Sequence, residues 1–544
     1  MTKAIVGGRI GGEFWASSPS CAPAVRIAVR LERQSQLQGR LSFALELGRP
    51  DEILVLLPGG LWPGAVAGGL SARGFSVAIG PVDPWSVLER VQSVVVSGDD
   101  ELGLLAILAG KSVYCRTGGY LGGWGATLDA PGVPSRGERR PWQIAEAVLI
   151  HGARYFNPFT GRVTDCESVV ELLSDWRRIV DEDRDLACCA GIALWKRAQV
   201  KAFLSPKARS IPAYQSARRS VERAKRTGGA IAVWPSRAPA GLLDQARAAG
   251  VALRRVEDGF VRSVGLGSDL LPPCSIVIDR RGIYYDPSQP SDLEWILSET
   301  EFSADLRDRS RRLIDMLVAR RLTKYNVGGS SYARPAHRRV VFVPGQVEDD
   351  QSWRLGGADC AGNLDLLRRV RRCEPDAFIV YKPHPDVEAG NRIGAVTDAE
   401  ALQFADQVVR NVATPALLDN VDAVHVLTSL TGFEALLRGR EVITHGQPFY
   451  SGWGLTRDLS PPPRRGRRLD LTELVAGTLI LYPRYLDPVT RLNCRPEVLI
   501  DRLSEVRSPK FASAGAVRLL RQSFERVLGW NGKAWIHQPR VNHD

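Results

Sequence analysis

The sequence predicts an α/β protein built of Rossmann-like layers, one of them duplicated, and three observations carry that prediction. Short apolar runs such as ILVLLP, SVVVSG, GGAIAVWPS and RRVVFVP alternate with helical stretches, which is the pattern of parallel βαβ layers. Charged or glycine-bearing loops follow several of those runs at once: EDG at 257–259, GQVEDD at 345–350 and KPHPD at 382–386. Finally, a slide of 329 positions lays Asp99–Thr127 beneath Thr428–Thr456 without a gap. Gly432 then falls on Gly103, Val442 on Val113, Gly452 on Gly123, Trp453 on Trp124 and Thr456 on Thr127. A repeat of so long a period marks a duplicated domain rather than a solenoid unit.

Taken in order, residues 1–50 give no clear pattern, and the α/β reading begins at Glu52. RYFNPFTGRVTDC, from Arg154, is echoed by RYLDPVTRLNC, from Arg484, so the repeated unit extends past the glycine-rich loop. The expected division is a degenerate Rossmann-like remnant at 1–165 and a helical linker at 166–226. Two Rossmann-like domains facing a cleft follow, at 227–335 and 336–505, and then a basic amphipathic tail at 506–544. In open parallel sheets ligands bind beyond the carboxyl ends of the strands, which places the EDG, GQVEDD and KPHPD loops at that cleft.

Composition narrows the class. With 44% hydrophobic and 24% charged residues the chain is an ordinary globular one of 544 residues, with room for roughly three or four domains. A net charge of +12 favours polyanionic partners: nucleic acid, anionic lipid or an acidic glycan. Nine cysteines without a C-x-x-C signal neither a zinc site nor a disulfide framework. No signal peptide and no run long enough to span a bilayer is read, so the expected location is cytoplasmic, at most on a membrane face. VGLGSD at 264–269 lacks the strand and helix of a dinucleotide fingerprint, and AGKS at 109–112 lacks the first P-loop glycine, Leu105 standing there.

Four loops carry candidate chemistry. Glu257 and Asp258 end a strand, as turn caps or as cleft carboxylates for acid/base work. Glu348, Asp349 and Asp350 are three adjacent acids whose mutual repulsion is expected to raise at least one pKa. Lys382 and His384 sit in a proline-fixed loop suited to a phosphate. Ser429, Thr431 and Gly432 open a helix, either as its cap or as an anion site, and Glu434 one turn in suits a ribose diol. In the first copy Ser429 becomes Asp100, Glu434 becomes Leu105, His445 becomes Arg116 and Gln447 becomes Gly118. One copy is equipped for a ligand, and the other keeps the scaffold.

These segments together are specific. RRVEDGFVRSVGLGSDLLPPCSIVIDRRGIYYDPSQPSDLE, KYNVGG, VPGQVEDD, IVYKPHPDVEAGNRIG, TSLTGFEALLRGREV and GQPFYSGWGLT resemble the β-Kdo transferase family of capsule polysaccharide biosynthesis, over roughly Ala187–Leu503. Family members of this kind carry two complete transferase modules. Here residues ~50–180 resemble only the tail half of the first, without its EDG, HP and S-x-x-G-x-E motifs, so the first module's activity is expected to be absent. The resemblance implies a GT-B fold and metal-free, retaining transfer of Kdo from CMP-Kdo to a Kdo-bearing lysophospholipid linker. It implies Asp350 as nucleophile and Glu257, with Asp258 beside it, as acid/base; the inverse, with Asp258 attacking, is the open alternative. Gln346 belongs to the same motif. Lys382, His384, Ser429, Thr431 and Gly432 would hold the CMP phosphate and Glu434 the ribose, with Arg262, Asn391 and Arg392 as candidates for the Kdo carboxylate or acceptor. Among polyanions this selects an anionic glycolipid, together with the inner membrane surface and capsule export machinery, and leaves out nucleic acid. Two other readings stand beside it: a non-catalytic capsule assembly factor, and a transferase for another CMP-activated acidic sugar.

Overall fold

A computed structural model of the chain describes residues 1–57, 64–204, 211–262, 272–323, 330–390 and 392–507. VGLGSD, KYNVGG, Asn391 and the basic tail beyond residue 507 lie outside them. The chain divides into two compact units, Met1–Arg184 and the remainder from Asp185.

The first unit is a six-stranded parallel sheet. Its strands are β1 (Ile27–Arg30), β2 (Ile53–Leu57), β3 (Ser76–Ile79), β4 (Ser93–Val96), β5 (Ser112–Cys115) and β6 (Leu128–Asp129), in the order β3-β2-β1-β4-β5-β6. β2, ILVLL, is buried at every residue, as a strand covered on both faces must be. A separate two-stranded hairpin, β7 (Tyr155–Phe156) and β8 (Val163–Thr164), and the helix Cys166–Asp183 complete the unit. Asp165 caps that helix by accepting from the Ser168 amide at 2.7 Å.

In the second unit one sheet holds β9 (Leu186–Ala190), β10 (Ala213–Tyr214), β11 (Ala230–Val233), β12 (Leu253–Asp258) and β13 (Ser275–Asp279). The other is formed by β14 (Val340–Pro344), β15 (Phe378–Lys382), β16 (Gln407–Val408), β17 (Ala423–Val426), β18 (Glu441–Thr444) and β19 (Arg457–Asp458). The chain then returns to the earlier sheet with β20 (Pro483–Leu486) and β21 (Asn493–Cys494), giving the order β10-β9-β11-β12-β13-β20-β21. The later sheet runs β16-β15-β14-β17-β18-β19, all parallel, the same order as the first unit. Two Rossmann-like domains with a returning terminal segment make this a GT-B fold. Among the described residues no helix is long and apolar enough to cross a membrane.

Three expected boundaries move. The first layer begins at β1, inside residues 1–50, because a four-residue strand in a polar stretch leaves little periodicity to read. Residues 166–226 are not a linker: their first helix closes the first unit, and β9 then pairs with β11 inside the next sheet. The domain expected at 336–505 gives up β20 and β21, because β20 pairs antiparallel with β13.

Candidate functional site

The carboxyl ends of β12, β14, β15 and β17 converge on a cleft of about 840 Å3 within the second unit. It gathers Glu257, Asp258, Gln346, Asp350, Lys382, His384, Ser429, Thr431 and Glu434, contributed by both domains.

On the first wall, Asp258 lies between two cations. Its Oδ1 accepts from Lys196 Nζ at 3.0 Å and its Oδ2 from Arg262 Nε at 2.7 Å. The Lys196 ammonium also stands 3.8 Å above the Trp234 ring. Burial pulls the Lys196 pKa down, against the pull of the Asp258 and Glu257 charges. Glu257 accepts from the Asp258 amide at 3.0 Å. Tyr284 and Tyr285 join this wall. Burial pushes both phenols up, and the charges of Glu257 and Asp350 push them the same way. Carboxylates from two domains thus act on one pair of rings. Arg262 is almost wholly buried and engaged with Asp258, so its charge serves the wall itself.

On the opposite wall the three acids of GQVEDD part company. Glu348 accepts from the backbone and side chain of Asn363, at 2.7 and 3.2 Å. Asp349 pairs with Arg392. Asp350 caps the helix Gln351–Gly356, accepting from the Ser352 amide at 3.3 Å and hydroxyl at 2.5 Å. The three adjacent acids thus turn to three separate places, because each carboxylate has found its own donors. Gln346 ties the wall together: its Nε2 donates to Thr428 at 2.6 Å and Ser352 at 3.2 Å.

Beyond it lies the corner formed by Lys382, His384 and Ser429. Lys382 Nζ donates to Thr414 at 3.2 Å, and burial lowers its pKa against the charges of Glu388 and Glu434. His384 Nδ1 accepts from the Asp386 amide at 3.1 Å, so a neutral ring carries its proton on Nε2. Ser429 caps the helix Leu430–Leu436, and its hydroxyl accepts from the Thr431 amide at 3.2 Å. Buried Glu434 faces the same cleft.

Gly432 and His445 are both held in packing contacts. Gly432 does not line the cleft: a Cβ there would run into the Tyr450 hydroxyl, itself donated to the Ser429 carbonyl at 2.5 Å. His445 is buried 3.0 Å from His425, and burial pushes both imidazoles down to about 3. Lys196, Trp195, Tyr284, Tyr285 and Arg410 line the cleft without having been singled out. Lys196 lies in the supposed linker, and the tyrosines lie in RGIYYD.

The sequence profile of the family described as capsule polysaccharide biosynthesis protein matches residues 229–333 and 314–485. The capsule polysaccharide modification protein LipA of Neisseria meningitidis serogroup A is 42% identical over 457 residues, covering 82% of this chain and 64% of that protein. The chain thus spans about two thirds, and not quite that, of the length of the curated relatives it matches. Two solved parts of Thermosulfurimonas dismutans KpsC are similar. The β-Kdo 2,4 transferase is 31% identical with a TM-score of 0.51, over 58% of this chain and 98% of that one. The β-Kdo 2,7 transferase is 37% identical with a TM-score of 0.49, over 60% of this chain and 100% of that one. The chain belongs to the capsule polysaccharide biosynthesis protein family.

Proposed function

We propose that the chain is a retaining glycosyltransferase that moves Kdo from CMP-Kdo to an anionic, Kdo-bearing lysophospholipid in capsule biosynthesis. The observation that carries the reading is the pairing of Glu257 and Asp350 across one cleft, beside Lys382, His384 and Ser429. Asp350, oriented by Ser352, attacks the anomeric carbon, and CMP leaves with the bonding pair. Lys382, the His384 Nε2–H and the Ser429 hydroxyl would receive the phosphate charge, and Glu434 would take the ribose. In the second displacement an acceptor hydroxyl attacks the same carbon, Glu257 takes its proton and Asp350 departs, so two inversions give net retention.

The two cations on Asp258 favour it as a fixed charge that positions Arg262 and Lys196. That supports Asp350 over Asp258 as nucleophile. The transfer is proposed to need no metal, and the net positive charge of the chain to bring it to an anionic membrane surface and the export machinery.

The test is trapping. Protein incubated with CMP-Kdo and digested is expected to carry a Kdo adduct on the peptide containing Asp350. An adduct on a peptide lacking Asp350 overturns the assignment. The same incubation with CMP-sialic acid separates the two donors, and NMR of the product on a synthetic Kdo-lipid reads the anomeric outcome.

A further inference from the structure

We propose that Lys196 is the residue that reads the acceptor: its ammonium receives the carboxylate of the acceptor's terminal sugar acid, whose ring lies against the Trp195 indole. This role rests on the transferase reading and adds to it the place and the chemistry of acceptor recognition. What points to it is a lysine on the inward stripe of a helix, held at a carboxylate that already has another cation.

Lys196 belongs to the helix Leu194–Leu204, whose buried residues are Gln199, Val200, Phe203 and Leu204. Positions 196, 199, 200 and 203 fall on one face of a helix, so the lysine heads the stripe that packs inward. Lysine is almost never buried without a partner, and here its side chain is 11% exposed. The ammonium stands 3.0 Å from Asp258 Oδ1, 3.8 Å from the centre of the Trp234 ring and 5.2 Å from that of Trp195. The cation is thereby fixed in place. Among the described residues Asp258 is its hydrogen-bond partner, through one of three N–H donors.

Neutralising Asp258 does not account for it. Arg262 already donates to the other carboxylate oxygen at 2.7 Å, and its side chain is 1% exposed, so one cation serves the interior of the wall. Lys196 is surplus to that need, and it lines the cleft. Other cations of the cleft are placed otherwise. Arg392 pairs with Asp349, and Arg410 with Glu388 and Asp398, while Lys382 stands in the corner proposed for the donor phosphate. That corner follows β15 and β17, whereas Trp195, Lys196, Ser236 and Glu257 come from the domain of the earlier sheet. An acceptor entering opposite the donor therefore meets Glu257, proposed to take its proton, and Lys196 together.

The chemistry of the spot suits an acidic sugar. A desolvated ammonium makes a short, charge-assisted bond to a carboxylate, and an aromatic face beside it takes the apolar side of a pyranose ring while the charged group fixes its orientation. A neutral sugar would leave the surplus charge without its partner, and a site built to pair such a group rejects the analogue that lacks it. Lys196 is thus a specificity-determining residue, and Asp258 the group that aims it.

The experiment measures transfer from CMP-Kdo by the full chain to a synthetic lipid bearing one Kdo, and to the same lipid with that carboxylate converted to a carboxamide. For the wild type the acceptor KM is expected to rise about tenfold or more on the carboxamide, with the KM for CMP-Kdo unchanged. Lys196→Met should raise the KM for the carboxylate acceptor by a similar factor. It should also bring the two acceptors within about twofold of each other, because both changes remove the same bond. Trp195→Ala should raise both acceptor KM values alike. The assignment is overturned by a wild type that takes both acceptors equally, by losses that multiply when Lys196→Met meets the carboxamide, or by a loss that falls on the KM for CMP-Kdo. The wild-type comparison needs no variant, so it decides where Lys196→Met fails to fold. A wild type that transfers to neither acceptor overturns the transferase reading itself, and this role with it.

Discussion

The sheet β1–β6 and the sheet β14–β19 have one strand order and share the bonds that shape their last loop. Gly123 and Gly452 each donate their amide to an aspartate, Asp129 and Asp458, at 2.8 Å. Thr127 and Thr456 donate to the same aspartates at 2.7 and 2.6 Å, and the Trp124 and Trp453 indoles donate to the carbonyls of Tyr120 and Phe449. The difference lies where β4 and β17 end. Ser429 offers a hydroxyl there, and Asp100 a buried carboxylate with Arg30 3.6 Å away. The first copy's strand ends also meet its own amino-terminal segment, the Gly12 amide donating to Glu101 at 2.6 Å and Trp85 to the Ile10 carbonyl at 3.1 Å. Scaffold and ligand chemistry are thus separable: one set of residues folds the layer, and another, free to change, equips it.

That separation can be broken most sharply by activity. Asp350→Asn or Glu257→Gln should lower Kdo transfer by about a thousandfold or more, whereas Asp100→Asn should leave it within about twofold. Radiolabelled transfer to the lipid acceptor reads both, and equal losses would join the copies functionally.

Packing should hit the two copies alike. Gly103→Ala would bring its Cβ to 2.7 Å from a Leu121 methyl, and Gly432→Ala would strike the Tyr450 hydroxyl. Each is expected to cost about 1–3 kcal/mol in denaturant melts. Tyr450→Phe should recover part of the second loss and none of the first.

A smaller effect separates the copies by pH. Burial pushes the Asp100 carboxyl from 3.8 up to about 6, against the pull of Arg30. A carboxyl raised on folding destabilises wherever it is ionised, so its penalty is full above about pH 6 and fades as pH falls towards 3.8. Asp100→Asn keeps a helix cap and should stabilise the first unit by roughly 1–2 kcal/mol at pH 7.5, with the gain gone near pH 4. A gain that persists at pH 4 would assign it to something other than the charge. The smallest expectation is no change at all: EDTA should leave the transfer rate where it was, and a rate restored only by a divalent ion would replace the metal-free proposal.

The sequence carried the layers where apolar runs were long, as in ILVLL and VVFVP, and the cleft where charges crowd behind such runs. It missed β1, whose four residues carry too short a period. It misread 166–226 because β9, LACCA, has small residues and no alternation. It could not foresee the strand return, since the β13–β20 pairing joins segments with a whole domain between them. The cleft residues it found are those that stand after a strand in a distinctive string. Lys196 escaped because a lysine on a helix is ordinary until the fold sets it against Asp258 and Trp234. The packing contacts of Gly432 and His445 were not legible, because repetition and polarity do not tell a packing contact from a binding one.

The return of β20 also sets a clock on synthesis. β13 leaves the ribosome roughly 200 residues before its neighbour exists, an interval of about 10–40 s at ordinary elongation rates. For that time the nascent sheet that ends at β13 must hold an apolar edge open to whatever strand arrives, which makes speed of translation through the intervening domain part of what decides the yield of correctly folded chain.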